Sequence, residues 1–86
     1  MQIAIPWQDV ESSDVRRVGY IDKQEILVVD FIKTGVYTYF QVKAEVFNTF
    51  MRAPSKGAFV NKVFKQSNWP YQKGVPDGAI LTGGIE

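Results

Sequence analysis

Neither cysteine nor histidine occurs in this chain of 86 residues. The first absence excludes a disulfide framework and thiolate nucleophiles. The second removes the commonest general acid–base and, with cysteine also missing, the ligands that zinc and non-haem iron prefer. Carboxylates alone would suit only Mg²⁺ or Ca²⁺, so no metal and no cofactor is expected. Ser12, Ser13 and Ser55 have no imidazole to activate them. Asp22 and Glu25 fall in a polar turn, where solvated acids are the plain explanation. The chain reads as a binding module and not as an enzyme. Long apolar runs are missing too. No stretch approaches the ~20 apolar residues of a membrane span. The start, Met1-Gln2-Ile3-Ala4-Ile5-Pro6, has neither a positive n-region nor an apolar run long enough for a signal peptide. A cytoplasmic location is expected.

What is present suits one small folded domain. Hydrophobic residues make up 45% of the chain and aromatics 14%. That offsets the thin stability margin of a short chain, because each aromatic ring buries a large area. The net charge of +1 is uninformative, but its distribution is not. Residues 1–51 carry five basic and seven acidic side chains, and no acid stands between Glu45 and Asp77. That interval holds Arg52, Lys56, Lys62, Lys65 and Lys73. Such asymmetry fits a polyanion-facing surface; a solvated helix face that merely lacks acids fits as well.

Periodicity gives the order of elements. Residues 16–21 and 36–42 read as strands on either side of the β-branched run Ile26-Leu27-Val28-Val29-Asp30-Phe31-Ile32. The short turns between them, the second with Gly35 free to take a positive φ, favour an antiparallel meander. Asp30 alone interrupts the central run and is expected to face outward or to pair with a base. The period then becomes helical. Val46, Phe47, Phe50 and Met51 form one stripe, Ala53-Pro54 stops it, and Ser55 is a suitable N-cap for a second helix carrying Phe59, Val60, Val63 and Phe64. The expected fold is therefore α+β: a three-stranded antiparallel meander followed by two short helices packed on one face (β-β-β-α-α). Residues 1–9 read as an N-terminal extension, 10–72 as the domain, and 73–86 as an extended glycine-rich tail. Ala79-Ile80-Leu81-Thr82 is a lone apolar patch in that tail. It suits a free terminus or an arm that adds a strand to a sheet edge, giving a homo-oligomer.

Several segments together resemble a known family. Val10-Glu11-Ser12-Ser13, Val18-Gly19-Tyr20, Gly35-Val36-Tyr37-Thr38-Tyr39-Phe40, Ala53-Pro54-Ser55-Lys56-Gly57 and Trp69-Pro70-Tyr71 follow one another in the order of the KTSC domain. The hallmark of that family is a Tyr-x-Tyr, here Tyr37-Thr38-Tyr39. The resemblance covers about residues 10–72. The chain departs from the family in having Trp69 where tyrosine is frequent, and in lacking a proline near Lys43. The family is named for a segment at the C-terminus of some lysyl-tRNA synthetases and also stands alone in bacteria and phages. The resemblance implies a link to RNA and no catalytic mechanism.

The candidate ligand residues follow from charge, stacking and free backbone donors. Tyr37 and Tyr39 lie two apart on a strand and share a face. If the helices cover the other face, the two rings form an open platform for bases; if they cover this face, both rings are core. Pro54-Ser55-Lys56-Gly57 before an apolar helix has the make-up of an anion seat, or of an ordinary capped helix start. Arg52, Ser55, Lys56, Asn61, Lys62 and Lys65, with Arg16, Arg17 and Tyr71, complete the set. Three functions are open. One is nucleic-acid binding, RNA in particular, through this basic and aromatic surface. Another is capture of a phosphate-bearing nucleotide, such as a phage protein would use against a nucleotide immune signal. The third is docking of a protein partner.

Overall fold

The computed structural model describes residues 3–75 and 79–80. The expected meander is present as β3 (Val15–Ile21), β4 (Ile26–Phe31) and β5 (Gly35–Tyr39), paired antiparallel in sequence order. The sheet is wider than the sequence suggested. β2 (Trp7–Asp9) adds beside β3 and β6 (Tyr71–Lys73) beside β5, giving five antiparallel strands in the order β2-β3-β4-β5-β6. Both additions are three residues long, too short for a period of two to show, and both lie outside the meander's short-turn connections. Ile3–Ala4 (β1) and Ala79–Ile80 (β7) form a separate parallel pair within the same chain. Most of the tail, for which a free terminus or an arm adding a strand to a sheet edge is expected, lies outside the described residues.

Local chemistry sets the ends of the elements. The β3–β4 turn is a single 3-10 turn, Asp22–Gln24, closed by Glu25 at φ 56, whose N–H donates to the Asp22 carbonyl at 3.1 Å. The β4–β5 turn uses Gly35 at φ 90, a conformation that costs a glycine little. β5 stops at Tyr39, short of the expected Val42, because Gln41 turns the chain at φ 60. Val42 is nevertheless fully buried, and its N–H donates to the Glu25 carbonyl at 2.7 Å. Helix α1 (Ala44–Arg52) begins at Lys43 without a side-chain cap and ends at Ala53, whose extended backbone precedes Pro54. Ser55 caps α2 (Lys56–Phe59) by accepting from the Ala58 N–H at 3.2 Å. The helix then widens into a π-helical stretch, Val60–Lys65, which keeps Val60 and Phe64 both turned inward.

Both faces of the sheet are covered. On one, Val18, Leu27, Val29 and Tyr39 meet Phe50, Val60 and Phe64 from the helices. Complete burial of rings such as Phe50 and Phe64 contributes about 1.5–3 kcal/mol each. On the other, Ile26 and Val28 pack with Ile5, and Val36, Phe40 and Val75 border them. The residues read as an extension are thus part of the fold: Ile5 is fully buried. It fits because Gly19 lies beneath it, where a Cβ would stand 2.5 Å from the Ile5 Cγ2. A bulge between Val15 and Arg17 in β3 turns Arg17 to this second face. There its Nε donates to Asp30 at 3.1 Å, with the guanidinium 4.2 Å from the centre of the Trp7 ring. Asp30, at 9% exposure, is therefore the paired alternative and not the outward one.

Candidate ligand-binding cleft

The helices cover the tyrosine face of β5. Val36 and Thr38 point to the Ile5 side, so alternation sends Tyr37 and Tyr39 under α2 and its π-helical continuation. Tyr39 is core: its ring stacks on Phe64 at 4.6 Å, and 3% of the residue is exposed. Tyr37 is half-buried, edge-on to Phe31 at 5.8 Å. β6 then places Tyr71 directly opposite Tyr39, 6.1 Å from the rings of both Tyr37 and Tyr39. Tyr71 is 61% exposed, a large outlay of free aromatic surface for so small a domain. The chain reaches β6 through Asn68, which takes φ 54, and Trp69, whose indole N–H donates to the Phe40 carbonyl. Trp69 also meets Phe64 edge-on at 5.0 Å.

These residues enclose a cleft of about 350 Å³ between the β5–β6 edge and the π-helical stretch. Its walls are Phe31, Tyr37, Tyr39, Phe64, Trp69 and Tyr71, and its polar groups are Thr34, Lys65 and Asn68. A mostly aromatic hollow with a few polar groups at this size is the usual form of a small-molecule site. Burial, and then the neighbouring Tyr37 and Tyr71 hydroxyls, push the Tyr39 phenol up to about 12 from 10.0. Its proton therefore stays on throughout the physiological range.

That shift makes a test of the packing. An unfolded Tyr39 ionises near pH 10 and the folded one only near 12. Above pH 10 the unfolded state releases the proton first, so the stabilisation is complete below pH 10 and falls away towards pH 12. Because the Tyr39 side chain borders the open cleft, solvent screening keeps that loss below the roughly 3 kcal/mol that a rise from 10.0 to about 12 would correspond to. Urea midpoints measured from pH 9 to 12 should drop more steeply for the natural chain than for Tyr39→Phe; parallel curves would mean that the phenol is solvated.

Of the ligand residues expected from sequence, Tyr37, Tyr39, Lys65 and Tyr71 line the cleft and the others do not. Arg17 is held by Asp30 on the opposite face, and Arg16 reaches the same carboxylate at 3.9 Å. The anion seat at residues 54–57 is not open. Lys56, at 8% exposure, donates to the carbonyls of Met51 and Ala53, each at 3.0 Å, and Ser55 is spent on its own helix. The reason is local: the turn joins the C-terminus of α1 to the N-terminus of α2, and the carbonyls are the nearer partners for an ammonium. Arg52, Asn61 and Lys62 are exposed elsewhere on the helices. Phe31, Thr34, Phe64, Asn68 and Trp69 line the cleft without having been singled out. The one signal for them was Trp69-Pro70-Tyr71, whose rings flank the opening. Among the described residues no cluster of His, Cys, Asp or Glu could hold a metal ion, and no helix is long and apolar enough to cross a membrane.

Comparison with known proteins gives one consistent relationship. The family model for the KTSC domain matches residues 11–67. A protein of Tsukamurella paurometabola is 40% identical over 58 residues, which are 67% of this chain and 87% of the relative. A lysine–tRNA ligase of Nostoc punctiforme is 36% identical over 63 residues, 73% of this chain but 11% of the ligase. The crystal structure of a KTSC domain protein from Yersinia pestis aligns with a TM-score of 0.76 at 32% identity, over 84% of this chain and 100% of that one. Asn68, Trp69 and Tyr71 lie just beyond the segment that the family model matches. Shared sequence over most of its length and a shared sheet-and-helix fold place this chain in the KTSC domain family.

Proposed function

We infer that this chain is a cytoplasmic, non-enzymatic module that binds a nucleotide in the aromatic cleft. The base lies against Tyr71 and Tyr37, and the phosphate meets Lys65. The observation that carries this reading is Tyr71, 61% exposed and adjoining two further tyrosines that line the same open hollow. Aromatic faces of this kind accept any base, at about 1–3 kcal/mol per stack. The scatter of the other cations favours a single nucleotide over a long strand. Arg16 and Arg17 stand on the far face and Lys56 is buried, so three of the cations expected to make a basic track are not beside the cleft. The absence of histidine and cysteine favours binding over catalysis.

Titration with AMP, GMP, UMP and CMP, followed by tyrosine and tryptophan fluorescence, tests the reading. Saturable binding is expected, and Tyr71→Ala should weaken it about tenfold or more, as the loss of one stack would. Unchanged affinity in Tyr71→Ala would remove the cleft as the site. A second reading, an unpaired RNA nucleotide in the same cleft, is favoured by the lysine–tRNA ligase relative. In that case a short single-stranded oligoribonucleotide should bind where the mononucleotides do not, with affinity falling steeply as salt rises.

A further inference from the structure

A second hollow of about 220 Å³ adjoins the cleft: Asp14, Lys33, Gly57 and Val60 line it, and it shares Phe31, Thr34 and Lys65 with the first. We propose that the two form one bipartite site for a nucleoside diphosphate sugar. The base occupies the tyrosine cleft, the diphosphate lies across the shared junction, and the sugar sits against Asp14. The proposal rests on the nucleotide reading of the first cleft and extends it.

Three features of the second hollow select this ligand class. Lys65 lines both hollows and Lys33 lines the second, and among the described residues neither is engaged in an ion pair. They suit two successive phosphates, since an ammonium acts on phosphate as a point charge. Beyond the junction the hollow has no aromatic wall of its own, only the shared Phe31, so it offers no platform for a second base. It has a carboxylate instead. Asp14 is fixed through its backbone: its N–H donates to the Ser12 Oγ at 3.1 Å, and its carbonyl accepts from the Ile32 N–H at 2.9 Å. Its carboxylate has no hydrogen-bond or ion-pair partner among the described residues. An acceptor-only group of this kind suits sugar hydroxyls, which donate charge-assisted bonds to it. Gly57 makes the placement possible. A Cβ there would stand 2.2 Å from the Asp14 Oδ2 and 3.1 Å from its Cβ, so any side chain would push the carboxylate out of line.

Isothermal titration with two series, AMP, ADP and ADP-ribose, and UMP, UDP and UDP-glucose, tests this. In at least one series the sugar conjugate should bind about tenfold tighter than its nucleoside diphosphate. Asp14→Ala and Gly57→Ala should each abolish that gain while leaving the mononucleotide affinity within about twofold, and Lys33→Ala should weaken the diphosphate and not the monophosphate. Tyr71→Ala should weaken all members of the responsive series. Mononucleotide binding with no gain from the sugar, or a gain that survives in Asp14→Ala, would overturn the bipartite site and leave the nucleotide cleft standing. Binding of the conjugate that is indifferent to Tyr71 would overturn the base position. Silence from every probe would overturn both.

Discussion

Replacing Phe64 with alanine is expected to remove about 3–5 kcal/mol of stability, the range for deleting a buried phenyl ring from a core. The site argues for the upper part of that range. Phe64 is 1% exposed and touches aromatic rings on three sides: Tyr39 stacked at 4.6 Å, Trp69 edge-on at 5.0 Å and Phe59 edge-on at 5.9 Å. These neighbours are large and held by their own contacts, so they cannot collapse into the space. Trp69 is tied to the Phe40 carbonyl and Tyr39 lies within the β4–β5–β6 ladder. A domain of this size has a total margin of only ~5–15 kcal/mol, so the variant would be largely unfolded well below the natural midpoint. Phe64 also forms part of the cleft wall, so ligand binding should fall together with stability. Phe64→Leu keeps most of the volume and should show a smaller loss of both. The measurement is urea unfolding of the three chains at neutral pH. A loss under about 1 kcal/mol for Phe64→Ala would mean that the ring does not fill the space between Tyr39 and Trp69.

How far such a site is legible in sequence depends on the range of the interactions that build it. β3, β4 and β5 could be read because their residues are β-branched and aromatic and their turns are short, and the helices because their apolar stripes repeat locally. The cleft depends on a long-range pairing. Tyr71 becomes a wall only because β6 returns to lie beside β5, with Tyr39 opposite Tyr71. From sequence, Trp69-Pro70-Tyr71 looks like the end of the compact region and gives no sign of that return. The covered face of Tyr37 and Tyr39 could not be chosen in advance, because Val36, Thr38 and Phe40 make an equally apolar alternative. Ile5 decided it by filling the far face over Gly19. The basic cluster failed for a related reason. Lysines and arginines near one another in sequence have the same signature whether they face a ligand or a carbonyl, and the structure divides them between Asp30, the end of α1 and solvent.

Lys56 shows that division most sharply, and its removal should have the second large effect. The turn between the helices holds a C-terminus with unpaired carbonyls and an N-terminus with unpaired N–H groups. Ser55 serves the N–H groups, and the Lys56 ammonium serves the carbonyls of Met51 and Ala53 while lying 5.8 Å from the centre of the Phe50 ring. Lys56→Met keeps the apolar stem and deletes only the charge and its donors. Two charge-assisted bonds are lost, and the carbonyls of the half-buried Met51 and Ala53 are left without them, so a cost of about 1.5–3 kcal/mol is expected. Lys62→Met, on an exposed position of the same helix, should stay within about 0.5 kcal/mol of the natural chain. Chemical denaturation of the pair measures the difference, and equal midpoints would show that water replaces the ammonium at no cost. The same variant separates the two roles that the sequence offered for this lysine. An anion seat at residues 54–57 would lose ligand affinity in Lys56→Met with little change in stability. A lysine that caps α1 should lose stability and, at temperatures where the variant is still folded, leave any nucleotide affinity unchanged, because the proposed nucleotide cleft is lined by Tyr71 and Lys65 and not by Lys56.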